Sequence, residues 1–298
     1  MKKILITGGT TFVSKYAATF FARREYEVYV LNRGSKKQVD GVNLIKADRH
    51  HLGEALKNYH FDAVLDITAY DALDINDLLD GLDSFDKYIF ISSSAVYPET
   101  GTQPFTENHK LDVNKYWGKY GTEKIESERV LLERVLDAYI IRPPYLYGPM
   151  NNVYREAFVL DCARNGRKFY LPQEGEMKLQ FLHVEDLCRL MEIIIKDSPK
   201  EHILNVGNAE SITIKEWVDM CYRTVGATLE YVSVPKDIEQ RLYFCFYNYE
   251  YYLDVSKMRE ILPETKDMRE GLMECALWYK EHPSEVNKKN YFEFIDRI

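Results

Sequence analysis

The sequence contains 298 residues, of which 46% are hydrophobic, and its 39 basic and 47 acidic residues give a formal net charge of −8. The apolar content is sufficient for one large α/β domain, alone or with a smaller domain attached. The negative charge argues against general binding to nucleic acid, and the five cysteines show no C-x-x-C spacing typical of a metal site. With no signal peptide and no apolar run near the ~18 residues that span a bilayer, we expect a cytoplasmic protein without a metal or membrane partner.

Short apolar runs alternate with amphipathic stretches along the first 145 residues. The pattern predicts strands at 4–6, 28–31, 44–45, 63–67, 88–91 and 139–141, a first helix that ends at Ala22, and a strongly periodic helix over 120–136. Nearly continuous apolar strands separated by helices are typical of a parallel sheet that is covered on both faces. We therefore predict an α/β fold with a doubly wound parallel sheet of the Rossmann type.

A glycine turn follows the first predicted strand, in the run Thr7-Gly8-Gly9-Thr10-Thr11-Phe12-Val13-Ser14. A turn in this position presents backbone N–H groups and a helix N-terminus to a pyrophosphate; an ordinary strand–helix turn is the alternative. Gly8 fits the tight turn, whereas Thr11 and Ser14 stand where further glycines are usual. The predicted cofactor contacts are Gly8, Thr10, Thr11, Phe12 and Val13, and the Thr11 side chain should weaken or shift the cofactor.

The end of the second predicted strand bears on the choice of cofactor. NAD sites usually place an acidic residue there, against the ribose 2′-hydroxyl, but this chain has Asn32 followed by Arg33. Loss of the carboxylate removes repulsion against a 2′-phosphate, and an arginine can pair with that phosphate. We therefore predict NADP in preference to NAD. Asp48, after the third strand, either accepts from the adenine amino group or caps a helix.

The chain changes character after Gly148 and Pro149, where loops lengthen and proline and glycine separate short elements. We predict a dinucleotide-binding domain over residues 1–148 and a smaller mixed substrate domain over 149–298, with residues 178–207 returning to the first domain. A terminal helix is predicted over 268–279.

Tyr120 and Lys124 are four residues apart, which places them one helical turn apart on the same face. An ammonium beside a tyrosine can lower the tyrosine pKa from its usual ~10 towards neutral pH. The tyrosine then becomes a general acid or base for a hydroxyl or carbonyl substrate. In a chain with 23 tyrosines, however, this spacing also arises by chance.

Further segments in the same order resemble the extended short-chain dehydrogenase/reductases, also called the NAD-dependent epimerase/dehydratase family. The segments that carry the resemblance are Ile91–Tyr97, Tyr120–Lys124, Arg142–Pro149, Phe181–Leu187, Asn205–Gly207 and Leu253–Lys257. The glycine turn, with 31–34 and 47–49, resembles the branch that contains the chloroplast stem-loop-binding proteins and bacterial relatives.

The resemblance implies roles for three residues. Tyr120 would be the acid/base, and Lys124 would lower its pKa and hydrogen-bond the nicotinamide ribose. Ser93, with Ser94 as the alternative, would hold the substrate oxygen during hydride transfer. The implied substrate is a sugar or nucleotide sugar, and a homodimer is expected through the Tyr120 helix and the helix before it.

Ser94 and Ala95 occupy the positions where sugar dehydratases of the family carry an acid pair, so 4,6-dehydration is disfavoured. Epimerisation or carbonyl reduction needs only the tyrosine, the lysine and the cofactor, and an exchangeable NADP(H) favours reduction. Two alternatives are an RNA-binding protein on the same fold and an NADP-sensing regulator without turnover. We interpret His183 as a structural histidine in preference to a catalytic one.

Three cations in the predicted substrate domain are candidates for pairing with a substrate diphosphate: Arg155, Arg167 and Lys168. Each could equally be a solvated surface residue. The aromatic cluster over 243–252 either lines a pocket or packs in the core of the smaller domain.

Overall fold

The computed structural model describes residues 1–297. Within this range a parallel sheet of seven strands forms the centre, in the order β7-β6-β5-β4-β1-β2-β3. Its strands are β1 (Lys2–Thr7), β2 (Tyr26–Asn32), β3 (Val42–Lys46), β4 (Ala63–Asp66), β5 (Tyr88–Ile91), β6 (Tyr139–Arg142) and β7 (Ile203–Asn205). The predicted doubly wound Rossmann-type sheet is confirmed. The strand order reverses beside β1, and such a reversal opens a crevice at the carboxyl ends of the strands.

Helices cover both faces of the sheet. The helices of residues 1–297 are α1 (Phe12–Ala22), α2 (Ala72–Gly81), α3 (Lys119–Arg134), α4 (Glu156–Arg164), α5 (Val184–Asp197), α6 (Ile214–Thr224), α7 (Ser256–Ile261), α8 (Met268–Glu281) and α9 (Tyr291–Ile295). Along β1, Ile4 and Ile6 join the core shared with α1 and α5, whereas Leu5 joins the core shared with α2 and α3. This alternation of buried side chains is the reason why three consecutive residues of β1, Ile4, Leu5 and Ile6, are apolar. None of these helices has the length and apolar character needed to cross a membrane.

The chain after β6 builds a smaller mixed layer from short strand pairs and the helices α4, α6 and α8, which pack on one another. The short pairs of this layer are Tyr145–Tyr147 with Phe181–His183, Phe169–Pro172 with Tyr231–Val234, and Lys178–Leu179 with Ile212–Thr213. β7 pairs with β6, so Ile203–Asn205 lies at the edge of the main sheet. Phe181–His183 pairs with Tyr145–Tyr147, the short strand that follows β6, so it lies outside the main sheet. The boundary between domains at 148 and 149 stays a prediction.

Candidate active site

Three predicted catalytic residues meet in one cavity of about 570 Å³ at the carboxyl edge of the sheet. Ser93, Tyr120 and Lys124 line it together with the segment Thr11–Ser14 from the start of α1. Ser93 follows β5, while the tyrosine and lysine project from α3. The structure therefore brings the end of the glycine turn and the Tyr-x-x-x-Lys helix to the same space.

Two glycines fix the start of α3 close to the strand that carries the serines. Gly118 precedes the helix with φ of +49°, a conformation that favours glycine. At Gly121 a Cβ atom would lie 2.5 Å from the carbonyl oxygen of Ala95. No side chain fits between the helix and the Ser94–Val96 turn at this point, so Gly121 sets the approach that places Tyr120 over the cavity.

The Lys124 ammonium points towards the sheet. Its Nζ donates to the carbonyl oxygens of Ala69 at 2.7 Å and Ile91 at 2.8 Å, and the residue is only 3% exposed. Burial lowers the pKa of Lys124 to about 8, although the carboxylates of Asp66 and Glu128 oppose the shift. Lys124 thus ties the loop after β4 to the end of β5.

The pKa of Tyr120 is raised in this structure, which differs from the lowered value that the sequence predicted. Burial of the hydroxyl is the main cause, although the ring faces the open cavity and the residue keeps 37% of its surface exposed. A hydrogen bond from Ser93 opposes the rise, and Tyr70 adds to it. The Lys124 ammonium lies 5.9 Å from the ring centroid of Tyr120 and is bound to backbone carbonyls, so it does not set the acidity of the phenol.

The three consecutive serines after β5 have different partners. Ser92 donates to the buried Glu128 carboxylate. The Ser93 hydroxyl accepts from the Ala95 backbone N–H at 3.2 Å and lies beside Tyr120. Ser94 donates to the Tyr251 hydroxyl at 3.4 Å. Among the three, Ser93 is the residue whose hydroxyl meets the Tyr120 phenol.

The glycine turn retains the features of an anion site in spite of its two substitutions. Gly8 and Gly9 have φ near +90°, and a Cβ on Gly9 would lie 2.7 Å from the side chain of Val30. Thr11 forms no side-chain cap on α1, and the first turn has no acidic residue, so no side chain at the N-terminus of this helix competes with an anion for its N–H groups. Ser14 donates to the Thr11 carbonyl at 3.0 Å. The turn therefore fits a pyrophosphate, and Ser14 occupies the third glycine position without leaving a polar group unpaired.

A smaller cavity of about 310 Å³ continues the crevice beyond Gly8 and contains Asn32, Arg33 and Asp48. Asn32 donates to the Gly8 carbonyl at 2.6 Å and accepts from the Gly34 N–H at 2.8 Å, so its amide holds the turn. Arg33 is exposed and makes no salt bridge within residues 1–297. Asp48 accepts from the backbone N–H of His50 at 3.0 Å, which makes it a local turn cap, and it also lines this cavity.

Thr10 lies in a neighbouring basic groove of about 760 Å³ that also touches Thr11 and Phe12. Lys36 and Lys37 line this groove from the loop after β2, and Lys36 Nζ reaches the Thr11 hydroxyl at 3.4 Å. The predicted cofactor residues thus divide between three connected hollows along the crevice.

Sequence reasoning missed a buried polar network beneath the crevice. Asp66 ends β4 and accepts from the hydroxyls of Thr7 at 2.8 Å and Tyr88 at 2.6 Å, and it pairs with Arg49. Arg49 also lies 3.7 Å from Asp74. The sequence offered one signal of this network, which is Asp66 at the end of an apolar strand. A carboxylate in that position is expected to be buried, and a buried carboxylate requires partners.

The three cations that were candidates for binding a substrate diphosphate lie in different places. Arg155 lines the cavity that contains Tyr120. Arg167 pairs with Asp296, and Lys168 lies 3.8 Å from Glu230, both away from that cavity. Arg241, which the sequence did not single out, lines the cavity opposite α3, as do Tyr247 and Tyr251 of the predicted aromatic cluster.

His183 is not among the described residues that line the cavity. Its Nδ1 accepts from the Glu185 N–H at 3.2 Å and caps α5, and burial lowers its pKa to about 3. His183, Glu185 and Glu274 have ligand atoms within 4.8 Å of one another. The Lys266 ammonium bonds both carboxylates, so a protein cation already neutralises this cluster.

A doubly wound sheet with a glycine turn at its switch point defines a Rossmann-type protein. Residues 4–207 match the profile of the NAD dependent epimerase/dehydratase family, and the chain belongs to this family. It is 26% identical to chloroplast stem-loop binding protein of 41 kDa b from Arabidopsis thaliana, over 91% of this chain and 77% of the relative. The family suggested by the motifs is confirmed.

Solved structures of the same fold include the Bordetella bronchiseptica enzyme WbmH in complex with NAD⁺. The TM-score is 0.77 at 15% identity, over 95% of this chain and 99% of that one. UDP-glucuronic acid 4-epimerase from Bacillus cereus, in complex with UDP-glucuronic acid and NAD, has a TM-score of 0.74 at 17% identity, over 94% and 99% of the two chains. At these identities the likeness shows the shared fold.

Proposed function

We propose that the chain is an NAD(P)-dependent reductase or epimerase that transfers a hydride at a carbonyl or carbinol carbon of a sugar or nucleotide sugar. The observation that carries this proposal is the meeting of Ser93, Tyr120 and Lys124 with the N-terminus of α1 in one cavity. A nicotinamide cofactor at the glycine turn would supply or accept the hydride. The residues of the chain hold the substrate and move the proton.

Tyr120 would donate a proton to the carbonyl oxygen in the reducing direction. Its raised pKa keeps the phenol protonated at neutral pH, and this state is the one that an acid catalyst needs. Ser93, beside the phenol, would hold the same oxygen by a hydrogen bond. Lys124 would hold the cofactor ribose by a hydrogen bond and supply positive charge there, from its position between β4 and β5.

NADP is the proposed cofactor. Asn32 places a neutral amide where a carboxylate would repel a 2′-phosphate, and Arg33 is exposed beside it. Lys36 and Lys37 add positive charge within the adjoining groove. Because this protein carries a net charge of −8, three free cations around one turn favour an anion at this point.

The cavity supports reduction or epimerisation rather than dehydration. Among its described lining residues there is no aspartate or glutamate that could serve as the acid or base of an elimination. Ser94 is engaged with Tyr251, and Ala95 has no functional group.

The proposal is tested with purified protein, NADPH and NADH, and a panel of sugar and nucleotide-sugar ketones. We expect Tyr120→Phe to lower kcat by ~10²–10⁴ while the dissociation constant for NADPH changes little. Tyr29→Phe is the matched control, since its hydroxyl donates to Glu27 outside the cavity. Unchanged turnover in Tyr120→Phe would refute the assignment. Tightly held NAD and turnover without added cofactor would favour epimerisation over reduction.

RNA binding is the second candidate, because the Arabidopsis relative is named a stem-loop binding protein. The basic groove around Lys36 and Lys37 is the surface that such an activity would use. A filter-binding assay with a stem-loop RNA in rising salt separates the two functions. RNA affinity without nicotinamide binding would favour this candidate, and cofactor binding without turnover would favour a regulator.

We also propose a homodimer through α2 and α3. Leu73 on α2 is 56% exposed and Leu136, just after α3, is 86% exposed, so both offer apolar surface. Light scattering of the wild type and of Leu73→Asp tests this, and a monomeric wild type would refute it.

A further inference from the structure

The charged groups that line the cavity above Tyr120 are all cationic among residues 1–297. Lys124 lies at the base, and Arg155 and Arg241 lie on the wall formed by the smaller layer. The protein as a whole has a net charge of −8, so an acid-free wall with two arginines is a local reversal of sign. Clefts of one sign concentrate ligands of the other.

Arg155 is held in place without a carboxylate partner. Its Nη2 donates to the Leu146 carbonyl at 3.0 Å, and its guanidinium carbon lies 5.5 Å from the ring centre of Tyr145. Its Nε is buried and makes no hydrogen bond within the described chain. The neighbouring Glu156 is fully buried with an Asn151 partner, and burial raises the pKa of this carboxyl, which reduces its ability to neutralise the arginine.

Arg241 is fixed in the same manner from a different segment. Its Nη1 donates to the carbonyl oxygens of Phe244 and Cys245, and its guanidinium lies 4.8 Å from the ring centre of Tyr247. No salt bridge to either Arg155 or Arg241 is formed within residues 1–297. Backbone carbonyls and aromatic rings orient these guanidiniums but leave their charge uncompensated.

The charges of Arg155 and Arg241 act on the same part of the cavity wall. Burial raises the pKa of the Tyr145 hydroxyl and of the Cys245 thiol, and both guanidiniums oppose each rise. Tyr145 and Cys245 also line the cavity. The two positive charges therefore converge on one part of its wall.

The size of the cavity limits the ligand. Its volume of about 570 Å³ lies within the range of roughly 300–1,000 Å³ that holds one small ligand. The part beside Thr11–Ser14 belongs to the cofactor end. Trp117 and Tyr247 meet edge to face at 5.3 Å and close the opposite end above Tyr120. We take the remaining space between these aromatic walls to hold one sugar ring.

On the basis of the proposed function, we propose that Arg155 and Arg241 form the anion site of the substrate pocket, and that the substrate is a compact sugar bearing one phosphate or carboxylate group. The anion would sit between the two guanidiniums, with the sugar ring against Tyr145 and Tyr247 and its reacting oxygen at Tyr120. Charge-assisted bonds from two arginines give this contact both strength and direction.

The test is calorimetric titration of the protein saturated with NADP⁺, so that the cofactor's own phosphate sites are filled. The probes are inorganic phosphate, glucose, glucose 6-phosphate, glucuronate and UDP-glucose. We expect phosphate to bind at one site per chain, and at least one compact anionic sugar to bind roughly tenfold or more tightly than glucose. The two sugar anions distinguish a phosphate site from a carboxylate site.

Arg155→Gln and Arg241→Gln should each weaken binding of the anion by roughly tenfold or more while leaving the affinity for NADPH unchanged. Arg155→Lys keeps the charge and should retain part of the affinity, which provides a second measurement where a glutamine variant does not fold. Arg223→Gln is the matched control, because this arginine is on the exposed face of α6 with Asp219.

Binding of glucose as tight as that of both glucose 6-phosphate and glucuronate, or anion binding that is unchanged in both glutamine variants, would overturn the inference. UDP-glucose binding that depends on both arginines, with no binding of the compact anions, would also overturn it and assign the site to a diphosphate. Arginine-dependent anion binding without hydride transfer to any ketone would uphold the anion site while the proposed function failed.

Discussion

Glu128 and Arg142 form a buried ion pair that joins α3 to the end of β6. The glutamate is 2% exposed and the arginine 3% exposed. Arg142 donates through Nε to one carboxylate oxygen at 3.0 Å and through Nη2 to the other at 2.6 Å. Ser92 donates to the same carboxylate. Since Glu128 lies one helical turn after Lys124, this pair fixes the helix that carries both candidate catalytic residues.

Replacement of Glu128 by glutamine removes the negative charge and leaves the Arg142 guanidinium buried without a counterion. Breaking a buried ion pair in this way costs about 3–5 kcal/mol of unfolding free energy. The remaining partners of Arg142, the Tyr97 hydroxyl at 2.8 Å and the Glu107 carbonyl at 3.2 Å, are neutral and cannot compensate the charge. We therefore expect Glu128→Gln to lower stability by that amount.

Equilibrium unfolding in urea, followed by tryptophan fluorescence, measures the loss. Glu126→Gln is the control: it makes the same chemical change on the same helix, but at an exposed pair with Arg129 that should contribute about 1 kcal/mol or less. A difference between the two variants of less than 1 kcal/mol would refute the reasoning. Replacing both Glu128 and Arg142 by leucine should recover part of the loss, because the double change removes both buried charges.

Three other predictions concern the crevice. Arg33→Ala should raise the dissociation constant for NADPH about tenfold and leave that for NADH unchanged, as measured by cofactor fluorescence. Gly9→Ala should cost at least about 1 kcal/mol and weaken both cofactors, because its φ of +90° and the nearby Val30 side chain exclude a Cβ. Lys124 has a folded-state pKa of about 8 against ~10.4 when unfolded, so the unfolded chain binds more protons between these values. The unfolding free energy of the wild type should therefore rise with pH across this window, by up to about 3 kcal/mol more than that of Lys124→Met. Urea titrations of both proteins at each pH measure the difference. Parallel pH curves for the two proteins would contradict the prediction.

The architecture of the sheet could be predicted because its strands are buried on both faces. Runs such as Ala63–Asp66 and Tyr88–Ile91 are apolar at almost every position, and this pattern has few other interpretations in an α/β chain. The sequence predicts that residues 178–207 return to the first domain but does not specify the partner of the short strand Phe181–His183, which pairs with Tyr145–Tyr147. A three-residue strand has too little pattern to specify its partner, which tertiary contacts decide.

The site was predictable as far as it depends on strand ends and helical spacing. Ser93 follows β5, and Tyr120 and Lys124 share a helix face, so their meeting follows from the fold. Arg241 was missed because it reaches the cavity from a loop more than 100 residues further along the chain, and no local pattern indicates that contact. The pairing of Arg49 with Asp66 likewise depends on how the loop after β3 folds over β4.

The acidity of Tyr120 shows what the four-residue spacing cannot determine. The spacing places the ammonium of Lys124 5.9 Å from the ring of Tyr120, but the sheet below offers two backbone carbonyls that bind the ammonium instead. Burial then raises the pKa of the phenol, with Ser93 as the opposing hydrogen-bond donor. Burial therefore keeps the phenol protonated at neutral pH, and the surroundings of Tyr120 determine its acidity more than its distance to Lys124 does.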